Sequence, residues 1–201
     1  MVSTTQYDNS DPHKQSFNAF MNEFVTESDR AAVVLGAAKI DSLLCGLLDK
    51  RLLPHPASED DLLEGDAPLA TFSARIRVCY RLGLIDEQFT KLLHIFRRLR
   101  NAFAHEVSQS TLATGSVRDR VLALAEPFNN SDFYQDLLEK ISQISKRRAD
   151  DPGVILRAVL TIFYIELQKI HETIEGLKRP EWPGVIESIA DRKRPQEDNA
   201  R

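Results

Sequence analysis

The stretch Asp86-Glu-Gln-Phe-Thr-Lys-Leu-Leu-His-Ile-Phe-Arg-Arg-Leu-Arg-Asn-Ala-Phe-Ala104 decides the fold class. Phe89, Leu92, Leu93, Phe96, Leu99 and Phe103 recur every three or four positions, which lines one face of an α-helix with apolar side chains. Asp86 stands where an N-cap is needed, so the spacing predicts a helix from Glu87 to about Ala104. Upstream, Pro68 precedes a predicted helix Leu69–Leu82 that Gly83 stops. Ser58-Glu-Asp-Asp-Leu-Leu-Glu-Gly65 reads as a capped helical turn closed by glycine. A long helix is expected over Asp29–Leu53, capped by Thr26 or Ser28 and ended by Pro54. It is apolar almost all round between Ala31 and Leu48, which predicts a central place in a bundle. Before it, Phe17, Phe20, Met21 and Phe24 suggest a short amphipathic helix.

The same period continues downstream. Val117–Ala125 reads as a helix ending before Pro127. Ser131 can cap another through Ile144, followed by the basic knot Lys146-Arg147-Arg148, expected to be a solvated helix end. Asp151 with Pro152 at the first helical position opens a strongly apolar helix, Gly153–Ile174, before Gly176, with more apolar surface than one face can bury, so an interface or a deeply central location must cover the rest. No run alternates as a strand would, and no internal repeat is present. The expectation is an all-α fold, a single multi-helix bundle of about six to eight helices. Residues 1–14 form a polar arm, 15–176 the helical domain, and 177–201 a charged C-terminal tail expected to be flexible.

Composition narrows the function classes. A chain of 201 residues with 42% hydrophobic and 28% charged content can bury a sizeable core as one domain. Its 26 basic and 30 acidic residues leave a net charge of −4, so a strongly basic nucleic-acid binder is excluded as a whole-chain description. Cys45 and Cys79 sit in apolar segments without metal-ligand spacing and read as buried thiols. His13, His55, His94 and His171 are dispersed, so neither a metal nor another cofactor is expected. Met1–Gln15 lacks the apolar segment of a signal peptide, and Ala158–Ile165 falls far short of the ~20 residues of a spanning helix. A cytoplasmic protein with no membrane association is the expectation.

Two constellations could carry chemistry. Arg97-Arg98-Leu99-Arg100-Asn101-Ala102-Phe103-Ala104-His105 ends an apolar helix with three arginines, an asparagine and a histidine. At about 100° per residue, Arg98, Asn101 and His105 share one face, and Arg97 and Arg100 a neighbouring one. Arginine can hold a phosphate in bidentate fashion, and histidine can move a proton near neutrality. Equally, basic side chains favour a helix C-terminus, and His105 could satisfy terminal carbonyls or bond within the core. On residue types alone the structural reading takes precedence. The second constellation is Asp41 with Arg75. Both have apolar neighbours at helical spacing, and a buried charge must find a partner. This predicts an ion pair, with Asn101 as a possible third member, read as a structural clamp.

The order Glu27-Ser-Asp-Arg-Ala-Ala-Val-Val, Ile40-Asp-Ser-Leu-Leu, Leu62-Leu-Glu-Gly65, Pro68-Leu, Phe72-Ser-Ala-Arg-Ile76, Leu82-Gly-Leu-Ile85 and Arg100-Asn-Ala-Phe-Ala-His105 resembles the mannitol operon repressor family across residues 26–106. The resemblance implies an all-α fold, self-association as a homodimer, and a role in transcriptional repression of sugar-alcohol uptake. The acidic composition and the lack of a recognisable DNA-reading helix point to a non-enzymatic regulator acting through a protein partner rather than by direct DNA binding. The Arg100–His105 segment also resembles the Arg-x4-His signature of HEPN domains. That resemblance implies an alternative, a metal-independent endoribonuclease of toxin type acting as a dimer. Arg100 would then bind the scissile phosphate, His105 would act on the 2′-hydroxyl, and Asn101 would orient the pair.

Overall fold

Side-chain caps start most of the helices. Ser28 Oγ accepts from the Ala31 amide and opens α1, Asp29–Arg51. Thr71 Oγ1 accepts from Ala74 and opens α2, Phe72–Arg81. Asp86 Oδ1 accepts from Phe89 and opens α3, Glu87–His105. After α4, Gly115–Ala125, a 3₁₀ turn at Glu126–Phe128 carries Pro127. Ser131 caps α5, Asp132–Ser145, and Asp151 caps α6, Pro152–Thr173. Each such cap satisfies an amide that the helix leaves without a partner. The computed structural model describes residues 21, 24–54, 60–105 and 111–178, with His105 described through its backbone alone. Among these residues the fold is all α-helical, with no strand.

One boundary changes at this level. Helix α2 begins at Phe72 rather than Leu69, because Leu69 N donates to Leu62 O and Ala70 N to Ala67 O, closing turns before Thr71 can cap. The segment 60–65 is the expected capped helical turn closed by glycine, with Glu64 N donating to Asp60 O. Asp60 Oδ1 accepts from Leu62 and Leu63, and Gly65 sits at φ 59°, a left-handed conformation that suits glycine. Ser58, Phe17, Phe20, the arm 1–14 and the tail from 179 onward lie outside the described residues.

Helix α1, expected at the centre, packs against three helices, α2, α3 and α6, but α6 is buried more fully, at every residue from Gly153 to Tyr164. Helix α6 packs against α1, α4 and α5, while α3 packs against α1, α2 and α4. The rings of Phe89 in α3 and Phe128 in the 3₁₀ turn both meet Phe163 edge-on, at 5.1 and 6.5 Å between centroids. Helix α1 buries Val33, Ala37, Ile40, Leu44 and Leu48 but leaves Val34, Ala38 and Ser42 exposed. By length and composition α1 could cross a membrane, yet in the fold its apolar face lies on α6 and α2. Asp29 bonds to Arg157 at one end of the α1–α6 contact, and Lys50 Nζ donates to His171 O at the other. The two helices therefore run in the same direction. Gly36 makes the contact close, since a Cβ there would stand 2.6 Å from Leu160 Cδ1.

Candidate functional site

Helices α2 and α3 form a hairpin through Gly83, at φ 69°. Phe72 and Phe96 meet edge-on at 6.5 Å, and Ile76, Cys79, Leu93, Phe96 and Leu99 are buried. Burying those positions turns the intervening ones outward. Arg77, Tyr80 and Arg81 of α2 and Arg98 and Arg100 of α3 are exposed, and His94, Arg97 and Asn101 are half-buried. Among the described residues none of Arg77, Arg97, Arg98 and Arg100 forms an ion pair. The result is a basic face on an acidic chain.

Of the expected trio, the structure joins two members: Arg100 Nη1 donates to Asn101 Oδ1 at 3.1 Å. The bond draws the guanidinium along the helix surface and leaves its other nitrogens free to bind. His105 is the last residue of α3, four positions beyond Asn101, and its imidazole lies outside the described residues. His94 stands one turn before Arg97 and Arg98. Partial burial, then the charges of Arg97, Arg98 and Arg77, hold its imidazole below the usual histidine range and favour the neutral ring.

Asp41 and Arg75 meet, with Arg75 Nη1 donating to Asp41 Oδ2 at 2.9 Å. Arg75 also donates from Nε to Leu69 O and from Nη2 to Leu63 O. One guanidinium thus ties α1 and α2 to the turn segment between them. Asn101 does not join: Arg75 directs its donors to these three acceptors, and Asn101 accepts from Arg100 instead.

A second charged cluster was not foreseen. Arg157, 1% exposed in the middle of the apolar α6, donates to Asp29 Oδ1, Phe24 O, Glu27 O and Gly153 O. Arg147 bonds to both oxygens of Asp29 and pairs with Asp151. The basic knot is therefore only partly a solvated end. Arg148 is exposed and paired with Asp150, and Lys146 closes α5 at φ 56°. The available signal was a lone arginine inside Gly153-Val-Ile-Leu-Arg-Ala-Val-Leu160, a position that demands a buried counter-charge.

Other nucleophile and ligand candidates recede. Burial, then the neighbouring Cys45, pushes the Cys79 thiol up to about 12, and it donates weakly to Leu44 O. It is no thiolate at neutral pH. Among the described residues no group of three His, Cys, Asp or Glu side chains comes together as metal ligands. A groove of about 420 Å³ lies toward the N-terminal end of α3, between Ile85, Phe89, Phe128, Ile162 and Glu166. In comparison with known proteins, the chain matches no family model, no curated protein and no solved structure.

Proposed function

We propose that the protein is a non-enzymatic helical regulator of the kind the mannitol operon repressor family represents, acting in transcriptional repression by contact with a protein partner and not by reading DNA. One observation carries this reading. Several of the residues behind the resemblance serve the fold, while exposed side chains among and beside them have the chemistry of a protein contact. Arg75 clamps α1, α2 and the turn segment; Ser28 caps α1; Leu63, Ile76 and Ile85 are buried. Next to them Tyr80 and Leu82, 42% and 40% exposed, stand among Arg77 and Arg81. Tyrosine and arginine are the residues that most often anchor protein interfaces. Self-association as a homodimer belongs to the same proposal.

The Arg100–Asn101 bond favours a second reading, a metal-independent endoribonuclease of HEPN type. In it Arg100 holds the scissile phosphate, Asn101 orients the guanidinium, and His105 takes the proton of the attacking 2′-hydroxyl.

Incubation of RNA with the protein in EDTA, beside His105→Ala, separates the two, with circular dichroism showing that both are folded. The first reading expects no cleavage, and an in-cell crosslink to a specific protein that Tyr80→Ala removes. Cleavage by wild type that His105→Ala abolishes overturns it and establishes the nuclease.

A further inference from the structure

The basic face holds three side chains, His94, Arg97 and Arg98, that neither reading uses, and they lie beside Arg77 at the edge of the surface that the first reading assigns to a protein contact. His94, Arg97 and Arg98 stand at positions i, i+3 and i+4 of α3, so they share one patch of its surface. Arg77 of α2 lies near enough to act on the His94 imidazole. Arg97 and Arg98 thus lie on the same helix surface as the imidazole, α2 with Arg77 packs against that helix, and none of the three arginines forms an ion pair among the described residues. The neighbouring cation Lys91, one turn earlier on α3, differs: Glu87 neutralises it at 2.6 Å.

The patch is also partly ordered in advance. Arg77 Nε donates to Ser73 O at 3.2 Å, fixing its stem along α2. Arg97 is half-buried, and its Nε is enclosed without an acceptor. A side chain held in this way loses less freedom on binding. Close like charges repel, and an anion placed among them relieves that repulsion while gaining bidentate hydrogen bonds.

We propose that Arg77, His94, Arg97 and Arg98 form a phosphate-binding site across α2 and α3. The arginines supply charge and forked donors, and the neutral imidazole supplies one N–H. The site excludes Arg100 and His105, so it stands whether or not the chain cuts RNA, and it goes beyond docking to a protein.

A phosphate can arrive as a free ion or as the backbone of a nucleic acid, and two probes distinguish them. Inorganic pyrophosphate is titrated by calorimetry, and a fluorescent oligouridylate by anisotropy, each into the full chain at low salt. The variants are the double substitution Arg77→Gln with Arg98→Gln, both at exposed positions, and Lys91→Gln as a control for diffuse charge. Thermal unfolding checks that all fold alike. Saturable wild-type binding that weakens by about tenfold or more in the double variant, and stays roughly unchanged in Lys91→Gln, is the expected result. Binding of pyrophosphate alone assigns a free phosphate, and binding of oligouridylate alone a phosphodiester backbone. Binding of both assigns a site indifferent to the source. The proposal is overturned if neither probe binds, if the double variant binds as wild type does, or if Lys91→Gln loses as much.

Discussion

At the scale of single residues, charge partners separate structure from surface chemistry. Asp41, Arg75, Arg147 and Arg157 all have counter-charges, whereas Arg77, Arg97 and Arg98 have none among the described residues. The histidine between the latter three records the difference. Its ring should titrate below its ordinary 6.5, and Arg77→Gln should move the titration upward by removing one repelling charge. Two-dimensional NMR of the imidazole across the pH range near neutrality reads this directly. An unchanged His94 titration in the variant would show that Arg77 does not act on the ring. Cys79 is the opposite case, an inert thiol whose burial withholds it from chemistry.

At the scale of elements, the clamps hold helices to segments distant in sequence. Arg75 bridges α1, α2 and the turn at residues 60–69 through one carboxylate and two carbonyls. Truncation at Arg75→Ala leaves those acceptors without a charged donor, and should cost about 2–3 kcal/mol in urea denaturation. The second clamp admits no side chain at the start of α6. A Cβ on Gly153 would lie 2.5 Å from Arg147 Nη1 and 2.6 Å from Asp29 Oδ1. Gly153→Ala must therefore displace the ends of Arg147 and Asp29, and by disturbing their pairing should destabilise by about 1–3 kcal/mol although alanine is the better helix former. A variant as stable as wild type would mean that the pair repositions at no cost.

At the scale of the whole molecule, the buried cluster around Asp29 sets the acid limit of stability. Burial alone would raise the Asp29 carboxyl; hydrogen bonds from Arg147 and Arg157 outweigh it, and the group sits below its ordinary 3.8. A depressed carboxylate contributes stability that is fully present above the unfolded value and is lost as pH falls through the folded one. Lowering the pH from about 7 to about 3 should therefore cost wild type more stability than Asp29→Asn, and the gap between them should narrow. Urea midpoints at the two pH values check this, and a constant gap would remove Asp29 from the account. The same scale bears on self-association. The apolar surface of α6 exceeds what one face can bury and demands cover, and α1, α4 and α5 supply it within one chain. A homodimer, where it forms, must use other surface.

By itself the sequence determined the helical class and most of the boundaries, because helical period, caps and breakers act within a few residues of one another. Ser28, Asp86, Ser131 and Asp151 all cap where short-range chemistry places them. It also marked the Asp41–Arg75 pair, since two charges among apolar neighbours need each other. Only the tertiary structure decided that α6 is covered within the chain rather than at an interface, for apolar residues all round a helix state that it needs cover and not which surface provides it. Only the tertiary structure joined Asp29 to Arg147 and Arg157, 118 and 128 residues away, because ion pairing over that separation leaves no local pattern. The basic face arose in the same way: Arg97, Arg98 and Arg100 were legible as one constellation, whereas Arg77 was not, and the lack of ion-pair partners among the described residues is a property of neighbours in space.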